Sequence, residues 1–158
     1  MSDLTDLYQE IIMEHNKRPR NFHPLEGASC SLTGHNPLCG DRIILDLKLE
    51  GNTISDVGFQ GSGCAISRAS ASMMTESVKG KQCAEADELY DEFHQMITRG
   101  PGGSYHAEKL GDLEVLAGVA EYPTRIKCAM LAWHTLHHAL HGGTEPVSTE
   151  TGDEQPSA

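Results

Sequence analysis

The 158-residue chain predicts an α+β fold, a small antiparallel three-stranded sheet with helices packed on one face. Two observations carry this expectation. Strand-like alternation of apolar and polar residues is confined to residues 28–60, and helical periodicity dominates from residue 64 onward. The strand segments are also joined by short links, which suit antiparallel neighbours, because a parallel pair needs a crossover connection.

Taken in order, the first element is an amphipathic helix over residues 3–18. Leu4, Leu7, Tyr8, Ile11, Ile12 and His15 recur at helical intervals, and Pro19 cannot continue the helix. A Pro- and Gly-containing passage leads to Gly27, and strands are expected over 28–35, 43–50 and 53–60. Glu50-Gly51-Asn52-Thr53 supplies the tight turn between the second and third. Over 64–78 the pattern becomes helical, with Ile66, Ala69, Met73, Met74 and Val78 on one stripe and Gly80 placed to end it. A further helix over 84–98 buries Ala86, Leu89, Phe93, Met96 and Ile97, and its acidic face reads as solvated. Residues 99–104 read as a Gly/Pro-rich loop and 110–119 as a short helix before Pro123. The last helix, 125–141, takes Thr124 as its N-cap, turns Ile126, Ala129, Met130, Trp133, Leu136 and Leu140 inward, and stops at Gly142-Gly143.

One domain over residues 1–143 is expected, followed by an acidic disordered tail over 144–158. A chain of this length buries roughly 70% of its unfolded surface without disulfides. Five cysteines are an odd number, and the sequence shows neither an apolar leader nor a run near the ~18 apolar residues of a membrane span. The expectation is a cytoplasmic protein with reduced thiols and no membrane partner. Four of the net −11 charges come from Glu145, Glu150, Asp153 and Glu154, yet the remainder is still acidic. Such a surface repels a phosphate backbone, which argues against nucleic acid and for a partner with a basic face.

The chemistry gathers on Cys39, Asp41, Cys64 and Cys128, each placed where a turn or Gly-rich loop meets a patterned element. Cys64 and Cys128 fall near predicted helix starts, where the dipole favours a thiolate. Asp41 follows Cys39 across one glycine, so both side chains can face the same way. Three thiolates and a carboxylate suit zinc, but an iron–sulfur cluster competes for the same donors, and spacing alone leaves a shared site open. Cys30 and Cys83 read as buried structural residues. His134, His137, His138 and His141 step by three and four residues, which could chelate a metal from one helix. They fall on or beside the polar side, and no HExxH motif accompanies them, so a solvated face is expected. A Cys–His hydrolase built on Cys128 has no recognisable partner signature.

Several motifs in order resemble one family. Leu7-Tyr8, Pro19-Arg20-Asn21, Asn36-Pro37-Leu38-Cys39-Gly40-Asp41, Gly61-Ser62-Gly63-Cys64-Ala65-Ile66-Ser67, Ser72-Met73-Met74, Arg125-Ile126-Lys127-Cys128-Ala129 and Leu131-Ala132-Trp133 are similar to the iron–sulfur assembly scaffold superfamily, the IscU/NifU N-terminal group, and most closely to its SufU branch. The resemblance implies a SufE/IscU-like fold and a shared metal site on Cys39, Asp41, Cys64 and Cys128. Cluster scaffolds of this group carry a histidine just before the third cysteine and a Leu-Pro-Pro-Val-Lys stretch; here those positions read Lys127 and Glu121-Tyr122-Pro123-Thr124-Arg125. The stretch from about 100 to 121 looks like the insertion of the SufU branch. That branch implies bound zinc, a pyridoxal-phosphate cysteine desulfurase (SufS-like) as partner, Cys128 as sulfur acceptor, and delivery to a downstream cluster-assembly complex. Arg125, one turn before Cys128, is the candidate docking or orienting charge. The alternatives are a scaffold that builds an iron–sulfur cluster on the same ligands, and a purely structural zinc.

Overall fold

The computed structural model describes residues 3–99 and 105–149. Helix α1 (Asp3–Lys17) ends just ahead of Pro19. The next segment meets strand β3 (Thr53–Ser62), where Phe59 N donates to the Asn21 carbonyl at 2.9 Å. Strand β1 (Cys30–Asn36) pairs antiparallel with β2 (Asp41–Glu50), from Cys30 opposite Leu47 to Asn36 opposite Asp41. Strand β2 pairs antiparallel with β3, and Gly51, at φ 63°, takes the left-handed turn between them.

The sheet has four strands where three are expected. Strand β4 (Val147–Ser148) lies parallel to β1, so the order is β3-β2-β1-β4. Residues 147–149 therefore belong to the folded body, past the boundary expected at 143. The composition of 144–158 is polar, but the open edge of β1 offers backbone partners that composition does not register, and Val147 buries its side chain there. From residue 150 onward the expected tail lies outside the described residues.

Helix α2 (Ala65–Val78) is capped by Cys64, and Gly80, at φ 84°, turns the chain away after it. Helix α3 (Cys83–Arg99) follows, and most of the loop expected over 99–104 lies outside the described residues. The short helix expected over 110–119 is instead a four-residue helix, α4 (Ala107–Leu110), running into a 3₁₀ segment (Gly111–Glu121). Helix α5 (Pro123–Leu140) starts earlier than expected. Tyr122, not Thr124, is its N-cap, because Pro123 fills the first helical position, where a missing N–H is harmless.

Leu32, Ile43, Leu45, Leu47 and Phe59 form the buried sheet face, against which α2 and α5 pack. Helix α3 and the 3₁₀ segment lie against α5, with Phe93 stacked on Trp133 at 4.6 Å. Helices α2 and α5 are joined by Ser70 Oγ donating to the Ala129 carbonyl at 2.6 Å. Helix α5 also lies tight on β1 at Gly34, where a Cβ would collide with Thr135 Oγ1. That close approach brings the first turns of α5 over the end of β1, where the functional residues sit.

Candidate metal centre

Three chain reversals meet at one end of the sheet. The β1–β2 turn carries Cys39, and its Gly40, at φ 76°, donates its N–H back to the Asn36 carbonyl at 2.9 Å. Asp41 opens β2, Cys64 joins β3 to α2, and Cys128 lies in the second turn of α5. Cys39 Sγ, an Asp41 carboxylate oxygen and Cys128 Sγ lie within 4.8 Å of one another, and the two sulfurs are 3.5 Å apart. Tetrahedral zinc with Zn–S bonds near 2.3 Å sets its sulfur ligands about 3.8 Å apart, so the spacing suits a bound ion.

Asp41 is fully buried. Its Oδ2 accepts from Asn36 Nδ2 at 3.1 Å and its Oδ1 from the Cys64 backbone N–H at 3.0 Å. A Cβ at Gly63 would come within 2.5 Å of Asp41 Oδ1, so glycine is needed for this approach. Among the described residues no Lys or Arg pairs with the carboxylate. A carboxylate buried beside two thiols and without a cation has the chemistry of a metal ligand, because burying such a charge unpaired is costly.

Cys128 is also fully buried. Burial first, then hydrogen bonding with Asp41 and Cys39, pushes its thiol well above the ordinary range. The expectation that a helix start would favour its thiolate is corrected here. Cys128 is the sixth residue of α5, beyond the first turn where the dipole acts, and desolvation outweighs it.

Cys64 lies at a helix start as expected and is the N-cap of α2, its Sγ accepting from Ser67 N at 3.5 Å. It reaches Asp41 through its backbone, while its sulfur stands outside the 4.8 Å group. Of the four ligands expected from sequence, the fold gathers three side chains and sets the fourth beside them. Arg125 is exposed and faces this edge. The charge of Cys64, then a hydrogen bond with Cys128, raises the pKa of its guanidinium above the usual value. Cys30 and Cys83 lie away from the centre, half-buried against the core.

Two contributors escape the sequence reading. Asn36 donates from Nδ2 to Asp41 and towards Cys128 Sγ at 3.6 Å, and its Oδ1 accepts from Thr149 Oγ1 at 3.0 Å. Asn36 was legible only as part of a turn motif, and Thr149 carried no signal at all.

Against known proteins, residues 7–129 match the model of the NifU-like N terminal domain. The chain is 45% identical over 140 residues to the zinc-dependent sulfurtransferase SufU of Bacillus subtilis (strain 168), covering 88% of this chain and 92% of the relative. It is 44% identical over 141 residues to the iron–sulfur cluster assembly scaffold protein IscU of Streptococcus pyogenes serotype M1, covering 89% and 86%. Among solved structures, a candidate iron–sulfur cluster assembly scaffold protein for the SUF system of Fervidobacterium islandicum AW-1 superposes with a TM-score of 0.79 at 36% identity, covering 89% of this chain and 99% of that one. No helix among the described residues is long and apolar enough to cross a membrane.

Proposed function

The chain belongs to the NifU-like N-terminal domain family, which serves iron–sulfur cluster assembly, and from that premise we propose that it is a zinc-dependent sulfur carrier. Its donor is a pyridoxal-phosphate cysteine desulfurase, and its product passes to the cluster-assembly machinery. The observation that carries this reading is the convergence of the exposed Cys39 with the buried Asp41 and Cys128 at one end of the sheet. Those three would hold the zinc, with Cys64 as the fourth ligand. When bound, zinc keeps its thiol ligands ionised at neutral pH.

The acceptor is Cys128. Its thiolate attacks the terminal sulfur of the desulfurase persulfide; the S–S bond there breaks, the desulfurase cysteine leaves as a thiolate, and the new S–S bond makes Cys128 the persulfide. No external oxidant or reductant is needed for this step. Because Cys128 is enclosed while Cys39 and its turn are exposed, docking must shift the 37–40 turn to admit the donor. Arg125 stands at that entrance, placed to steer the donor and to face the sulfur's negative charge. Lys127 occupies the position where cluster scaffolds of the group carry a histidine, which removes a nitrogen ligand and favours transfer over cluster building.

The test is anaerobic purification, metal analysis, and a desulfurase assay with wild type and Cys128→Ser. Expected are about one zinc per chain, stimulated desulfurase turnover, and labelled sulfur on Cys128 that the variant lacks. An iron-bearing, coloured protein whose stimulation of the desulfurase survives Cys128→Ser would establish the cluster-scaffold reading instead.

A further inference from the structure

The far end of α5 carries a second constellation, built without cysteine. His137 and His141 sit one turn apart on α5 with ring centroids 4.4 Å apart, and Asp87 of α3 faces both. One ligand atom from each of the three lies within 4.8 Å of the others. We propose that Asp87, His137 and His141 form a second metal site, one that takes a divalent first-row transition ion of the zinc and nickel class and clamps α3 to the end of α5.

Three features support a coordination site over a simple ion pair. His137 Nδ1 is shielded from solvent yet makes no hydrogen bond, and Asp87 Oδ1 stands 3.5 Å from it. Tetrahedral ligands bound at about 2.1 Å lie about 3.4 Å from one another, so that gap is too long for a hydrogen bond and right for two ligands of one ion. The His137 ring is also fixed in place: Tyr90, one turn beyond Asp87 on α3, stacks on it at 4.3 Å and 14°, and the Tyr90 hydroxyl is hydrogen-bonded to His134 Nδ1 at 3.0 Å. Ordered ligands lose less entropy on binding. Finally, His141 is exposed and its Nε2 is hydrogen-bonded to both Asp87 oxygens, at 3.1 Å and 3.0 Å, so an ion can enter from solvent, replace that contact and keep water in its open positions.

The donor set separates this site from the cysteine centre. Two imidazoles and a carboxylate suit borderline ions, whereas the thiolates of Cys39 and Cys128 select softer ones. Nine residue steps of helix, about 14 Å of rise, separate Cys128 from His137, so the two sites do not share an ion. The expectation that these histidines form a solvated face therefore holds for His138, while His137 is half-buried and His134 is tied to Tyr90.

The test uses the full chain with one equivalent of Zn²⁺ already added to occupy the cysteine centre, then titrated with Ni²⁺ and followed by calorimetry and ¹H–¹⁵N spectra. One further equivalent is expected, with paramagnetic loss of amide signals centred on residues 87, 137 and 141 and a melting temperature that rises with Ni²⁺. His141→Ala and Asp87→Asn should each weaken Ni²⁺ binding at least about 10-fold, whereas His138→Ala leaves it unchanged. Asp87→Asn keeps the shape of the side chain, so it carries the test even if His141→Ala loosens the helix end. The proposal is overturned if Ni²⁺ binds equally well to Asp87→Asn, if signal loss centres elsewhere, such as the exposed His106–Glu92 pair, or if no second equivalent binds.

Discussion

At the scale of single residues, Asn36 organises the centre without carrying charge. Its side chain is fully buried and saturated: Nδ2 serves Asp41 and Cys128, and Oδ1 accepts from Thr149 Oγ1 and from Leu38 N at 3.3 Å. A carboxylate held by outer hydrogen bonds keeps its lone pair aimed at a metal, and loss of such a partner typically costs 10–100-fold in affinity. Asn36→Ala should therefore retain zinc about 10–100-fold less tightly in chelator competition, with a fall in stability of about 1–3 kcal/mol from the acceptor left unmatched at Asp41. Unchanged retention would remove Asn36 from the centre. Cys39, Asp41 and Cys128 were legible from sequence because thiols and a carboxylate are scarce and chemically marked. Asn36 and Thr149 were not, since amides and hydroxyls occur everywhere and only position gives them a role.

Among the elements, the joint between α1 and α2 makes stability depend on pH. His15 is buried, 7% exposed, with Nδ1 hydrogen-bonded to Ser72 Oγ at 2.7 Å, and that hydroxyl accepts from Arg20 N at 2.8 Å. Burial, and then the Arg20 charge, hold the His15 pKa below the ordinary imidazole value of 6.5. The unfolded chain thus takes up a proton before the folded one does, and the stability this histidine contributes is complete above pH 6.5 and lost as pH falls below it. The urea midpoint should drop from pH 7 towards pH 5.5, by no more than about 1.4 kcal/mol per pH unit from this group. His15→Gln should flatten that slope, and an unaltered slope would shift the effect to other buried histidines. Periodicity found α1, α2, α3 and α5 and the three long strands to within a few residues. It failed where neighbouring structure sets the outcome. The 3₁₀ segment lacks a distinct hydrophobic period, and the early start of α5 depends on Pro123 serving as the first helical residue.

For the whole molecule, the closing of the chain links stability to the centre. Strand β4 covers the edge of β1, and Thr149, directly after it, reaches the Asn36 side chain. Ending the chain after Gly143 removes both the backbone pairing and the burial of Val147, about 2–4 kcal/mol together. Calorimetry should show a melting temperature lower by roughly 5–10 °C, accompanied by weaker zinc retention. Thr149→Val separates the two effects: it should lower zinc retention while leaving most of the stability. A truncated chain that melts and retains zinc like the full one would place the domain boundary at 143 after all. By itself, the sequence determined the α+β order, the principal helices and strands, and the chemically marked residues, because hydrophobic period, turn residues and side-chain chemistry are local properties. Only the tertiary structure decided that β4 completes the sheet, that burial raises the pKa of the Cys128 thiol, that Cys64 meets Asp41 through its backbone, and that Asp87 faces His137 and His141. Each of these depends on contacts between segments distant in the chain, and on the desolvation that follows when packing excludes water.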